Sequence, residues 1–82
     1  MDINLFKIAA FYAFADISNI EELKKIFTEF LEKEDIKGTV LIAREGVNGT
    51  VAGKEASIDQ FLDFLKSNNL YEQQNYKISF CA

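Results

Sequence analysis

The side chains best suited to bind a ligand lie together near the middle of the chain. They are Arg44, Glu45, Gly46, Asn48, Gly49 and Thr50. An arginine can hold a phosphate or carboxylate through two parallel hydrogen bonds, and a neighbouring glutamate can orient it. An asparagine offers both a donor and an acceptor, and glycines let backbone N–H groups approach a partner closely. This combination predicts a contact site.

The same segment also fits a simple β-hairpin. The apolar runs Thr39–Ala43 and Thr50–Ala52 flank a turn-rich centre, Arg44–Gly49. An Asn-Gly pair between β-branched runs is typical of a tight hairpin turn. In this interpretation the Asn-Gly pair forms the turn, the charged side chains are solvated and the loop binds nothing. The residue types alone leave both interpretations open.

The rest of the chain supplies little for catalysis. It has no histidine and a single cysteine, Cys81, which excludes imidazole chemistry, an internal disulfide and a cysteine–histidine zinc site. Lys77 shares a strand face with Cys81 and would favour the thiolate, but we interpret this cysteine as a small hydrophobe at a strand end. We predict no catalytic residue, no metal ligand and no cofactor in this domain.

Length and charge restrict the class of protein. The chain of 82 residues is expected to form one domain, residues 1–82, with one modest core. Its formal net charge of −4 gives no general attraction to nucleic acid, so a phosphate contact needs a local basic patch or another domain. No signal peptide is recognisable, and no apolar run reaches the roughly 18–20 residues of a membrane span. We therefore expect a cytoplasmic protein.

Hydrophobic periodicity predicts six secondary-structure elements. Besides the hairpin strands, they are a strand Leu5–Ala15, a helix Asn19–Lys33, a helix Ile58–Asn68 and, after a polar loop Tyr71–Asn75, a strand Tyr76–Cys81. The motifs Ser18-x-x-Glu21 and Ser57-x-x-Gln60 predict a capping box at the start of each helix.

The order β-α-β-β-α-β is that of an α+β ferredoxin-like sandwich, in which four antiparallel strands carry two helices on one face. The first strand is apolar on both of its sides, whereas a strand covered on one side alternates apolar with polar residues. Either a partner domain covers the second side, or the small alanines tolerate exposure.

Acylphosphatases share this order and bind phosphate in a loop with glycine and arginine after the first strand. The corresponding segment here, Ala15–Asn19, has neither residue and carries Asp16, which repels phosphate. We therefore predict no acylphosphatase activity for this domain.

The segment Gly38–Gly53, and above all its core Glu45–Thr50, resembles the N-terminal domain of the bacterial rhodanese-related tRNA uridine hydroxylases. The aromatic pattern at Phe11, Tyr12 and Phe14 and the helix spacing agree with it, so the resemblance covers essentially the whole chain. It implies an acylphosphatase-like domain joined to a rhodanese-like domain with the catalytic cysteine. The complete enzyme would be an oxygen-dependent oxidoreductase that forms 5-hydroxyuridine at the tRNA wobble position.

By the same resemblance, the rhodanese-like domain is expected downstream of Ala82 and this domain alone is expected to be inactive. Cys81 does not match the family nucleophile, and Arg44 falls where many relatives place a histidine. We expect an accessory module that docks on the C-terminal rhodanese-like domain and helps to hold tRNA, with residues 44–50 as the contact. The alternative is a stand-alone ferredoxin-like interaction or regulatory module that binds a small anion or a protein partner.

Overall fold

Six elements follow one another in the predicted order in a computed structural model that describes residues 6–70 and 75–81. They are β1 Phe6–Phe14, α1 Ile20–Lys33, β2 Lys37–Ala43, β3 Gly46–Lys54, α2 Glu55–Ser67 and β4 Tyr76–Cys81. Of the predicted polar loop Tyr71–Asn75, residues 71–74 lie outside the described residues.

The four strands form one sheet in the order β2-β3-β1-β4, and each neighbouring pair is antiparallel. This order, with a helix between β1 and β2 and another between β3 and β4, is that of the ferredoxin-like sandwich. The predicted fold class is therefore confirmed. β1 and β3 are the two central strands, so their residues decide what each side of the sheet presents.

One side of the sheet carries both helices and the core. Alternate residues of the central strands are buried there: Ala9, Phe11, Ala13, Val47 and Val51. The ring of Phe11 lies 5.3 Å from that of Phe61 on α2, and Phe30 of α1 stacks on Phe64 of α2 at 4.4 Å. The aromatic side chains of the two helices thus pack in the core, and the two helices share one face of the sheet.

The predicted capping box of α1 is wrong by one residue. Asn19, not Ser18, precedes the helix, and its side-chain oxygen accepts the N–H of Glu22 at 3.0 Å. An asparagine caps a helix as well as a serine does, so the residue nearer to the first helical turn takes the role.

The start of α2 also differs from the prediction. The helix begins at Glu55, and Lys54 before it has extended backbone angles and makes no side-chain capping bond. Because β3 runs directly into α2, Ser57 lies inside the first helical turn. The backbone N–H groups that follow it already have partners within the helix, so its side chain has none to cap. The C-cap residue of the helix is Asn68, and Asn69 follows it with a left-handed φ of 58°, a conformation that asparagine tolerates.

The predicted turn Arg44–Gly49 is wrong in its extent. Ala43 pairs with Gly46, so only Arg44 and Glu45 connect β2 to β3. Asn48 and Gly49 lie inside β3 and pair with β1 and β2 on either side.

Gly46 offers a test of this register. It has a φ of 152°, and a Cβ there would lie 2.0 Å from the carbonyl oxygen of Ala13. We expect Gly46→Ala to lower the free energy of unfolding by at least about 2 kcal/mol, because backbone strain and a backbone clash add. The control is Gly53→Ala, whose Cβ would be 3.4 Å from Ile36 Cγ1 and whose effect should stay within about 1 kcal/mol. Urea unfolding measures both, and equal effects would contradict the register.

An ion pair joins β1 to α2 at the edge of the core. Lys7 Nζ lies 2.6 Å from Asp59 Oδ1. This hydrogen bond raises the pKa of Lys7 above its ordinary value of 10.5, against the opposing effect of desolvation. The pair therefore stabilises the fold fully below that pH and loses its contribution as the pH rises through the higher folded-state pKa.

We expect Lys7→Met to cost up to about 1 kcal/mol of unfolding free energy near neutral pH, because the pair is only partly shielded from water. The difference from the parent should shrink above pH 10.5. Urea unfolding across that range measures it. The control is Lys37→Met, which removes the exposed 3.5 Å pair with Asp35 and should not measurably change the free energy of unfolding. If the difference in unfolding free energy between Lys7→Met and the parent did not depend on pH, the stabilising role of the ion pair would be contradicted.

Candidate functional site

The hairpin turn is fastened to the chain that leaves β1. The carbonyl oxygen of Arg44 accepts the N–H of Ile17 at 2.9 Å, and that of Glu45 accepts the N–H of Ala15 at 3.0 Å. Both turn residues are exposed. Their charged side chains therefore reach solvent from a backbone that is held at two points.

Asn48 and Thr50 lie on β3 and are exposed on the sheet side away from the helices, which we call the open face. Strand pairing places Asn48 between Tyr12 of β1 and Leu41 of β2. Val47, next to Asn48 in sequence, points the other way and is buried in the core. The predicted site is thus divided between the hairpin tip and the open face.

Gly46 and Gly49 serve the sheet in this structure. A Cβ at Gly49 would lie 2.4 Å from the carbonyl oxygen of Thr39 on β2, and the crowding at Gly46 is described above. Because β3 pairs with a strand on each side, its backbone groups belong to the two ladders. The close backbone approach that we predicted for these glycines is an approach to neighbouring strands.

Two adjoining depressions cover part of the open face. The first, of about 490 Å³, includes Tyr12, Asn48, Thr50 and Lys77 in its lining. The second, of about 400 Å³, includes Tyr12, Phe14, Glu45 and Asn48. Tyr12 and Asn48 line both depressions. Predicted site residues therefore meet side chains of β1 and β4 around one shallow surface.

The strands and the helices of the domain differ in their charged residues. The charged residues on the four described strands are all lysines: Lys7, Lys37, Lys54 and Lys77. The helices carry seven acidic side chains and four lysines: Glu21, Glu22, Glu29, Glu32, Glu55, Asp59 and Asp63, with Lys24, Lys25, Lys33 and Lys66. Arg44 adds a cation and Glu45 an anion at the hairpin tip. Of the strand lysines, Lys7 faces the helices and pairs with Asp59. The strand pairing places the other three on the open face, so a chain with net negative charge has strand charges there that are positive.

Sequence reasoning missed the aromatic part of this surface as a candidate site. Tyr12 is 48% exposed, Phe14 71% and Leu41 60%, all on the open face. The rings of Tyr12 and Phe14 are 5.8 Å apart with an interplanar angle of 81°. The two-sided apolar character of β1 was the signal, but only the strand order shows which residues of β3 and β4 stand beside it.

The remaining sequence candidates are placed as follows. Cys81 and Lys77 share the open face through their pairing with Phe6 and Ala10, and Cys81 is exposed at the strand end. Across residues 6–70 and 75–81, no three acidic, cysteine or histidine side chains gather as metal ligands. No helix in the same ranges is long and apolar enough to cross a membrane.

Comparison with known proteins identifies relatives over nearly the whole chain. A sequence model of the UPF0176 acylphosphatase-like domain matches residues 6–82. A protein of Bartonella henselae named tRNA uridine(34) hydroxylase is 40% identical over 77 residues, which are 94% of this chain and 25% of that protein. Proteins of the same name from Anaplasma marginale and Ehrlichia canis are 41% and 34% identical over 84% and 89% of the chain, and 25% and 27% of their own lengths. The chain thus spans about a quarter of the length of the curated relatives it matches.

The alternation along β3 can be tested by stability. Arg44→Ala and Asn48→Ala remove exposed side chains, so each should change the free energy of unfolding by less than about 0.5 kcal/mol. Val47→Ala removes two methyl groups from the core and should cost about 2 kcal/mol. Urea unfolding compares the three, and a larger loss for Asn48→Ala than for Val47→Ala would show that β3 has the opposite orientation.

Proposed function

Because the chain belongs to the UPF0176 acylphosphatase-like domain family, we propose that it is the N-terminal accessory domain of a tRNA uridine(34) hydroxylase. The observation that carries this proposal is the match to proteins of that name over 94% of this chain but only 25% of theirs. The remaining length leaves room for a rhodanese-like catalytic domain, which we place after this one. In the complete protein this domain docks on the catalytic domain and helps to hold the tRNA.

The chemical step would belong to the other domain. A thiol nucleophile needs a base or a lowered pKa, and the chain contains no histidine to serve Cys81 as a base. The formation of 5-hydroxyuridine would therefore require groups that this chain does not supply. Its own contribution would be to bind and to orient.

The loop between β1 and α1 supports the same division of labour. In acylphosphatases the corresponding loop holds the phosphate. Here the N–H groups of Ala15 and Ile17 already donate to the carbonyl oxygens of Glu45 and Arg44, and Asp16 lies between them. Two amides that could cradle an anion are thus used to fasten the hairpin, and the intervening carboxylate repels phosphate.

The tRNA contact is proposed at the hairpin tip and the adjoining open face. Arg44 is an exposed cation on a fastened turn, which suits a single phosphate contact. Asn48 and Thr50 add exposed hydrogen-bonding groups on the sheet beside it. Docking on the catalytic domain would use the remaining surface.

The experiment introduces Arg44→Ala and Asn48→Ala separately into the full-length protein and measures tRNA affinity, its salt dependence and 5-hydroxyuridine by mass spectrometry. Arg44→Ala should weaken binding several-fold and reduce the slope of log affinity against log salt by about one, the value for one phosphate contact. Asn48→Ala should weaken binding without changing the slope, because it removes no charge. The 82-residue chain alone should form no 5-hydroxyuridine.

The matched control is Lys25→Ala, which removes an exposed cation from α1 and should leave affinity and slope unchanged. Unchanged tRNA affinity and unchanged hydroxylation in both site variants would remove this surface from the mechanism. Formation of 5-hydroxyuridine by the isolated chain would contradict the assignment of chemistry to the other domain.

A further inference from the structure

We infer that the open face is a stacking platform for an unpaired nucleotide of the bound RNA. The platform consists of Tyr12, Asn48, Thr50 and Lys77, which line the first depression. This inference rests on the proposed function, since it names the part of the RNA that this domain would hold. It adds a base-binding role for Tyr12 and a phosphate-binding role for Lys77.

The aromatic ring is the first support. Tyr12 is 48% exposed in the middle of the sheet although it is on a central strand. Aromatic side chains on the outer face of a four-stranded sheet are a common means of binding single-stranded RNA, because each base can stack on a ring. The neighbouring ring of Phe14 stands at 81° to that of Tyr12. Tyr12 therefore offers an exposed ring on which one base can stack.

The charge distribution is the second support, and it favours a nucleic acid over an apolar protein surface. The charged strand residues on the open face are Lys37, Lys54 and Lys77, while the two helices together carry seven acidic side chains against four lysines. An anionic chain is therefore attracted to the open face and repelled from the opposite layer. The core of a protein–protein interface is instead depleted of lysine, whereas Lys77 lies in the same depression as Tyr12.

The placement of polar groups gives the platform a direction. Strand pairing puts Thr50 and Lys77 on either side of Ala10, and Asn48 beside Tyr12. A base on Tyr12 would thus find amide and hydroxyl groups at its edge, with Lys77 toward β4 for the phosphate. Glu45 lines the second depression and disfavours a phosphate there, so the RNA backbone should cross the first.

The test measures binding of a short oligouridine RNA to the 82-residue chain by fluorescence anisotropy, next to an abasic oligomer of the same length and charge. The parent should bind oligouridine at least about fivefold more tightly than the abasic oligomer, because only the former can stack. Tyr12→Ala and Tyr12→Leu should lose that preference, whereas Tyr12→Phe should keep it. Lys77→Gln should weaken both ligands equally and lower the salt slope by about 0.7.

Leu41→Ala is the control for a merely apolar contact. Leu41 is 60% exposed on the same face but lines neither depression, so its removal should not change oligouridine affinity. Circular dichroism and thermal unfolding verify that each variant is folded. Equal affinity of the parent for the two oligomers, absence of oligouridine binding, or an equal loss in Leu41→Ala and Tyr12→Ala would each overturn the platform.

Two other occupants of the open face would give different experimental results. If a second copy of the chain covers the open face, sedimentation should show a dimer that Tyr12→Ala dissociates. If the catalytic domain covers it, both Tyr12→Ala and Leu41→Ala should lower the unfolding temperature of the full-length protein. Either result without base-dependent binding overturns the platform. If oligouridine does not bind while Arg44→Ala still weakens tRNA binding by the full-length protein, the platform fails and the proposed function stands.

Discussion

The register between β1 and β3 decides which side chains of this domain reach solvent. In this register Val47 and Val51 enter the core while Asn48 and Thr50 lie on the open face. A slip of one residue would exchange the two sets, because successive side chains of a strand point to opposite sides. The close approach of Gly46 to the Ala13 carbonyl holds this alignment, since no other residue type fits there without strain.

The fastened hairpin extends that alignment to the edge of the sheet. Two backbone hydrogen bonds join the carbonyls of Arg44 and Glu45 to the chain that leaves β1. The turn is consequently fixed relative to the strand that carries Tyr12 and Phe14. A cation at the tip and aromatic rings on the open face thus belong to one rigid surface, although they lie some thirty residues apart in sequence.

The sequence predicted the fold well because periodicity and element order specify it. Hydrophobic periodicity predicted the two helices whose aromatic residues, such as Phe27 and Phe61, are buried, and the order of elements sufficed for the topology. The turn was misplaced because Asn48-Gly49 has the composition of a turn and a low strand propensity, whereas pairing on both sides overrides that preference. For the candidate site, the motif indicated Arg44 and Asn48, but no local pattern could place Lys77 of β4 in the same depression as Asn48, since that neighbourhood depends on strand order.

The same backbone contacts explain how an acylphosphatase-like fold can lack the anion site of that class of enzyme. A fold hosts a function only through the groups that its loops leave available. Here the N–H groups of Ala15 and Ile17 are engaged by the hairpin, and engaging them is what makes the hairpin rigid. The loop that would bind phosphate in an enzyme of this fold therefore stabilises the hairpin instead.

The surface left available is the open face of the sheet, where lysines and exposed rings lie apart from the acidic helices. This arrangement suits the binding of an anionic polymer better than the hydrolysis of a small anion.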